Sequence, residues 1–389
     1  MSTYVEAAAP GKVLWLGGYS VLEGNVGLVT TVDAKVHVSA ETIPGNKLVI
    51  EAPMVNSSIG GKIEEDGSII INTVPELTLL VKSIEIALKY AVALGGKATG
   101  LHIKTRNDAL MTYRVVRSKN GTKVVKSGLG SSAALTVATA SSILELFGGY
   151  DREKVHRIAQ LSHSVATEKI GSGFDIAAAT FGTIIYQRYS PSLLKGFPEK
   201  YTPADVRKYI EMGWDYKIKK TEFPKAFTPV FAHFKDESAI TTSMIKSVNK
   251  FKDEHPERYR QIMEEIKTGD EEAIKALNGI NTDAAAKHYM ELFREGFERS
   301  RRAMKLLGEE SSTSIEPDDC TTLIEESKKH GAYVAKLPGS GGKDSIAALA
   351  LSPDDAEKLK NFWNSIDELE VLDLKIADGG LSFTQSVNC

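Results

Sequence analysis

The sequence predicts an α+β protein of two domains, on three observations. Its 389 residues, at roughly 150 per domain, suffice for two or three hydrophobic cores. Short runs rich in Val, Ile and Thr, punctuated by Gly and Pro, fill the first third and read as strands, whereas helical periodicity takes over after Ser131. A stretch carrying Pro191, Pro198, Pro203 and Pro224 then precedes a second mixture of strands and helices. The expected domains are 1–190 and 225–389, with 191–224 as a connecting region.

In chain order, residues 5–9, 13–16, 27–42 and 47–52 are expected strands. The segment AKVHVSAETI alternates as a half-buried antiparallel strand should. A helix over 76–94 ends at Gly95-Gly96. TYRVVRS and TKVVKS form a hairpin around Lys119-Asn120-Gly121, Asn-Gly being a type I′ turn dipeptide. Helices follow over 131–147, small and apolar, and over 151–169, amphipathic with Asp151 as N-cap. After Gly171-Ser172-Gly173 come a short helix, DIAAAT, and a strand, TIIYQRY. The second half opens with strands at 216–220 and 228–234 and continues as charged amphipathic helices over 242–307. It closes on AYVAKL, the loop PGSGGKDS, a helix over 354–366 and the strand VLDLKI. The charge runs EEIKTGDEEAIK and EESKKH read as solvated helix faces. No repeat of 20–50 residues occurs.

Composition excludes several function classes. Apolar residues at 42% and charged residues at 25% are ordinary globular usage, which removes collagen-like and disordered readings. Lys+Arg at 48 against Asp+Glu at 51 gives a net charge of −3, so no global basic field exists for nucleic acid or an anionic membrane. An anionic substrate must be gripped by a local cluster of donors. Two cysteines, Cys320 and Cys389, exclude a disulfide scaffold and suit a reducing compartment. The start, MSTYVEAAAPGK, lacks the features of a secretory signal, and no run of about 18 apolar residues appears. A cytoplasmic chain with small-molecule partners is expected.

Three loops of small residues carry the chemistry. The first is Ala9-Pro10-Gly11-Lys12, leading into LWLGGYSVLEG. The second is Lys126-Ser127-Gly128-Leu129-Gly130-Ser131-Ser132-Ala133-Ala134. The third is Leu337-Pro338-Gly339-Ser340-Gly341-Gly342-Lys343-Asp344. In the second, glycines turn the chain into a helix start, where free backbone N–H groups and the dipole favour an anion. It is a phosphate cradle or, more simply, a tight strand–helix turn capped by Ser. Gly128, Gly130 and Ala133 also fit G-x-G-x-x-A, but the βαβ context of a dinucleotide site is missing because a second helix follows. The nucleotide P-loop pattern is absent. The third loop is an anion nest or a place of close backbone approach; the lysine of the first is a phosphate ligand or an exposed turn residue.

In this order the three loops resemble the three motifs of the GHMP kinase superfamily, from Ala9 to about Ala350. APGKVLWLGGYSVLEG is similar to the first motif, KSGLGSSAALTVA to the second, IGSGFDIAAATFGTIIYQRYSP to the catalytic segment and PGSGGKDSIAAL to the third. Within the superfamily the segments most resemble phosphomevalonate kinases of the eukaryotic type. Mevalonate kinases usually carry P-S-G-x-D where this chain has Gly171-Ser172-Gly173-Phe174-Asp175, and the hairpin near Arg114–Lys123 departs from the usual pattern.

The resemblance implies an N-terminal domain related to the second domain of ribosomal protein S5, a ferredoxin-like C-terminal domain and a site between them. It implies transfer of the ATP γ-phosphoryl group to phosphomevalonate in the mevalonate pathway of isoprenoid biosynthesis, with ATP and Mg2+ required. Lys12 and Asp175 match the catalytic positions. Lys126, Gly128, Leu129, Gly130, Ser131, Ser132 and Ala133 would bind ATP. Ser131, Ser132 and Glu168 are candidates for Mg2+, which takes oxygen ligands and keeps waters. Lys12, Arg188, Ser172, Thr242, Ser243, Gly339, Ser340 and Gly341 would hold the acceptor, Arg188 through a fork suited to phosphate. For Glu168, Lys126, Arg188, Thr242 and Ser243 the alternative is ordinary solvation or capping. His156 and His163 read as packing or surface residues. Rival readings are mevalonate kinase or another superfamily kinase, diphosphomevalonate decarboxylase, and a non-catalytic ATP-binding regulator; the presence of Lys12 and Asp175 counts against the last.

Overall fold

The computed structural model describes residues 3–52, 57–72, 74–112, 114–118, 121–125, 128–235, 241–280 and 286–387. The first half is organised around one long strand. Its strands are β1 (Thr3–Leu16), β2 (Val26–Ile43), β3 (Lys47–Ala52), β4 (Ser57–Ile63), β5 (Ile69–Ile71) and, after helix α1 (Thr78–Ala93), β6 (Gly100–Asn107). A hairpin of β7 (Arg114–Ser118) and β8 (Gly121–Val125) follows, then helices α2 (Ser131–Leu146), α3 (Arg152–Thr167) and α4 (Phe174–Phe181), strand β9 (Ile184–Gln187), helix α5 (Pro203–Glu211) and strand β10 (Lys217–Lys220). In β2 the expected alternation holds: Val36, Val38 and Ala40 are buried, with Lys35, His37 and Ser39 between them half-buried.

Apart from the hairpin, which stands as its own two-stranded sheet, these strands and a last one, β15 (Ser382–Val387), form a nine-stranded sheet in the order β10-β9-β2-β6-β3-β4-β5, with β1 pairing β2 and β15 pairing β1. The two strands expected at 5–9 and 13–16 are one. β1 runs through Pro10-Gly11 with a register shift between Pro10 and Lys12, because a bulge tolerates the missing proline N–H. The hairpin pairs as expected, Ser118 opposite Gly121, while Lys119 and Asn120 lie outside the described residues. Helices α2 and α4 pack on β1 and β2, and α1 and α3 pack against α2. α2 is rich in small buried residues, Ala133, Ala134, Val137, Ala138 and Ala140, so it lies close on β1 and β2 and brings its N-terminus to Lys12.

The second half holds β11 (Thr228–Phe234), α6 (Thr241–Glu254), α7 (Pro256–Ile280), α8 (Ala286–Glu310), α9 (Asp318–Lys329), β12 (Val334–Lys336), β13 (Ser345–Ala350), α10 (Pro353–Asn364) and β14 (Leu369–Leu372). Its sheet runs β12-β13-β11-β14, all antiparallel. Helices separate β11 from β12 and β13 from β14, which is the ferredoxin-like βαββαβ arrangement.

Two features cross the expected limits. β10, in the expected connecting region, pairs β9 in the first sheet, and α5 there starts on Pro203 with a Thr202–Asp205 capping box. The last strand, β15 (Ser382–Val387), returns to pair β1. The run EEIKTGDEEAIK corrects the expectation of a purely solvated face. Asp270 within it is fully buried beside buried Ile266 and Ala273, because α8 packs directly over this part of α7.

Candidate functional site

Lys12 leaves the bulge in β1 and is half-buried against the second loop. Its backbone N–H donates to Leu129 O at 2.8 Å and its Nζ to Gly128 O at 2.7 Å. Gly130, the N-cap of α2, sits at φ 80, a left-handed conformation that glycine adopts without strain. A Cβ there would stand 3.0 Å from Lys12 Cε. The loop and the lysine are therefore packed as one unit. Burial pushes the Lys12 ammonium below its ordinary pKa, and the carboxylates of Asp175 and Asp344 act in the opposite direction.

Asp175 is the second residue of α4, half-buried, at the end of the Gly171-Ser172-Gly173 turn. Two side chains hold that turn from below. Gln160 Nε2 donates to Gly173 O at 2.9 Å, and Tyr186 OH donates to Ser172 O at 3.0 Å. Gly173 has φ 77, and a Cβ on it would come within 2.7 Å of the Gln160 amide and 2.9 Å of Tyr186 OH; only glycine leaves room for both supports. Phe174, beside Asp175, lies under the Lys12 Nζ, 5.5 Å from its ring centroid.

The third loop closes on the other two. A Cβ on Gly128 would lie 3.5 Å from Ser345 Oγ and 3.9 Å from Asp344 Cβ, and one on Gly18 would lie 3.6 Å from Gly339 O. Gly339 and Gly341 take φ 69 and 76, and Gly342 N donates to Ile315 O at 2.9 Å. Ser340 is half-buried between them. Lys343 turns away to pair with Asp319.

The remaining candidates are distributed unevenly. The Arg188 guanidinium donates to Leu22 O at 3.1 Å and Ile170 O at 2.8 Å, joining the first loop to the Asp175 turn; its Nε is buried without a partner among the described residues. Glu168 is exposed at the C-cap of α3, with φ 55. Ser243 is exposed at the start of α6, a helix whose Met244 and Val248 share an apolar cluster with Tyr19 of the first loop. Lys126 and the side chain of Thr242 lie outside the described residues. His156 is a packing residue, as expected. It is buried between Phe181 and Tyr216, its Nε2 faces the Gln160 amide at 3.0 Å, and burial lowers its pKa to about 3.

The two domain models that match the chain are GHMP kinases N terminal domain, over residues 80–183, and GHMP kinases C terminal, over residues 283–367. The chain belongs to the GHMP kinase superfamily. This GHMP kinase is 27% identical to the phosphomevalonate kinase of Candida albicans, over 88% of this chain and 89% of that one. It is also 27% identical to the peroxisomal phosphomevalonate kinase of Arabidopsis thaliana, over 95% and 94%. Its fold matches that of Streptococcus pneumoniae phosphomevalonate kinase in complex with phosphomevalonate and AMPPNP, with a TM-score of 0.74 at 18% identity, covering 95% of this chain and 99% of that one.

Sequence reasoning left four residues of this site without a role: Asp344, Gln160, Tyr186 and Phe174. Asp344 stands at the end of the third loop, a readable signal for a carboxylate near the first lysine. Gln160 and Tyr186 carry none, because they meet the turn only through the tertiary packing of α3 and β9.

Proposed function

We propose that this chain is an ATP-dependent phosphomevalonate kinase, transferring the γ-phosphoryl group of ATP to the phosphate of (R)-5-phosphomevalonate to give 5-diphosphomevalonate and ADP. The observation that carries the reading is the setting of Lys12. Its ammonium is fixed on the carbonyl of the glycine loop and faces the carboxylates of Asp175 and Asp344. A fixed cation between a phosphate cradle and a carboxylate is what phosphoryl transfer requires, since catalysis there is mostly positioning and charge stabilisation. The curated relatives named above support the choice of acceptor.

In this reading the N–H groups of residues 128–132 hold the ATP phosphates at the start of α2, with Lys126 and Ala133 at the loop's margins. Lys12 offers positive charge to the transferring group, and Asp175 orients Lys12. Arg188, Ser172, Thr242, Ser243, Gly339, Ser340 and Gly341 line the acceptor side. The hydroxyls of Ser131 and Ser132, with the exposed carboxylate of Glu168, are hard oxygen donors that fit Mg2+, which usually binds through few protein ligands plus phosphates. When bound it supplies neutralisation of phosphate charge. No helix among the described residues is long and apolar enough to cross a membrane; the reading keeps a cytoplasmic location, noting that the Arabidopsis relative is named as peroxisomal.

The deciding experiment is a coupled ADP-release assay with phosphomevalonate, mevalonate, galactose and homoserine as acceptors. Turnover with phosphomevalonate well above the others is expected. Turnover of mevalonate without that of phosphomevalonate would overturn the assignment.

A further inference from the structure

The corner of the first glycine loop is held from the second half of the chain by two buried charges. Asp270, on α7, is fully buried. Its Oδ1 accepts from Ser300 Oγ at 2.7 Å and its Oδ2 from Ser20 Oγ at 3.0 Å, and the nearby Gly17 backbone N–H favours its charged form. The Ser20 hydroxyl is 2.6 Å from Gly17 O as well, so its single proton is shared between the loop and the carboxylate. Gly269 permits this arrangement. A Cβ there would stand 2.6 Å from Ser300 N, and only its absence lets α8 deliver Ser300 to Asp270.

The second charge is Lys336, the last residue of β12, which is buried and donates to Trp15 O in β1 at 2.9 Å. The next residues, 337–344, are the third glycine loop. Asp270 and Lys336 act on one another: burial raises the first and lowers the second, and the charge of each opposes the other's shift. Thus the strand entering the third loop is tied to the strand entering the first, while Asp270 grips the first loop two residues further on. A buried charge is costly unless it is paired and hydrogen-bonded, and an apolar residue at Lys336 would leave Trp15 O without this donor.

We propose that Asp270 and Lys336 are positioning residues that lock the first glycine loop to the third, so that two walls of the phosphotransfer cleft are held as one body. This rests on the reading of those loops as the substrate site.

The test combines hydrogen exchange of the intact protein with steady-state kinetics on Lys336→Met, Asp270→Asn, Ser300→Ala and the double variant Asp270→Leu/Lys336→Met. Lys336→Met and Asp270→Asn should raise deuterium uptake in peptides spanning both residues 16–21 and residues 337–343, with peptides of α2 unchanged. Their kcat should fall about tenfold while the KM for ATP stays within about threefold, a split that general loosening would not produce. Ser300→Ala, which keeps both charges, should show the same pattern more weakly. The double variant, which leaves neither charge buried alone, should lose less melting temperature than the two single variants combined but should not recover kcat. Uptake confined to the peptide carrying the substitution, or a folded double variant with the parent's kcat, would overturn the proposal. Should a single variant fail to fold, Ser300→Ala and the double variant decide it by the same two readouts. If the parent does not phosphorylate phosphomevalonate, the substrate reading fails while the exchange measurement still judges the lock.

Discussion

Lys12 Nζ donates to the carbonyl oxygen of Gly128 at 2.7 Å, although the two residues are 116 positions apart. The lysine of the first loop is therefore a wall of the second, and whatever moves the glycine loop moves the ammonium. The same neighbourhood explains the fixed lysine: Leu129 O accepts from the Lys12 backbone, and Phe174 lies beneath its tip.

Gly130→Val is expected to damage both binding and turnover. The valine would need a left-handed backbone and would press on Lys12 Cε, 3.0 Å from the new Cβ. The KM for ATP should rise at least about tenfold, about 1.4 kcal/mol, with a smaller rise for the acceptor, and kcat should fall as well. Steady-state kinetics on folded protein check this. An unchanged ATP affinity would show that the loop does not cradle phosphate.

Arg188→Lys should cost stability and acceptor affinity together. A lysine presents a single point charge where the guanidinium spans Leu22 O and Ile170 O. Leaving one of those carbonyls unpaired should cost about 1–3 kcal/mol, read as a fall of a few degrees in Tm. The Kd for phosphomevalonate should rise about tenfold with that for ATP unchanged. A Tm loss with no change in acceptor affinity would make Arg188 a strut between loops and nothing more.

His156 makes acid stability measurable near neutrality. Burial lowers its pKa from 6.5 to about 3, with Arg157 adding to the effect. The unfolded chain takes up the proton first, so this contribution is complete above pH 6.5 and is lost as pH falls towards 3. Between pH 7 and pH 5 the parent should lose about 2 kcal/mol more than His156→Gln. Burial raises Asp270 to about 6, which works the opposite way over part of that window, so the comparison is with the variant. Denaturant titrations at the two pH values give both numbers; parallel losses would mean that His156 is not held neutral.

What was legible in the sequence was local. The glycine–serine turn before α2 and the turn before Asp175 were readable because few residue types tolerate their backbone, and the alternation of β2 was readable because one face is buried. What was not legible depends on partners far along the chain. β15 is a short polar segment whose assignment rests on β1 at the opposite end of the chain. α5 lies inside the stretch expected to connect the two domains; its four prolines point to a linker, yet Pro203 takes the first helical position and Thr202 and Asp205 form the capping box. Asp270 sits among exposed Glu264 and Glu271 and is charged like them. Only the close approach of α8, permitted by Gly269, converts it into a buried acceptor.

The final prediction concerns what Asp175 does. A hydroxyl acceptor benefits from a general base in the transition state. A phosphate monoester, with a second pKa of about 6, is largely dianionic at pH 7 and already nucleophilic. With phosphomevalonate as acceptor, Asp175 has little proton to remove. Its charge acts on Lys12, which burial alone would push towards the neutral amine. Asp175→Asn should then lower kcat by removing one of the two carboxylates that sustain the ammonium, and Lys12→Ala should lower it by a comparable factor. The double variant should be little worse than either single one, since residues acting as a unit are non-additive. Asp344 supplies the other carboxylate, so Asp175→Asn should retain some activity and lose it more steeply than the parent as pH rises. The measurement is kcat against pH for the parent, both single variants and the double variant at saturating phosphomevalonate. Full additivity would make the two residues independent. A loss in Asp175→Asn far exceeding that in Lys12→Ala would instead identify obligatory proton abstraction, and with it a hydroxyl acceptor.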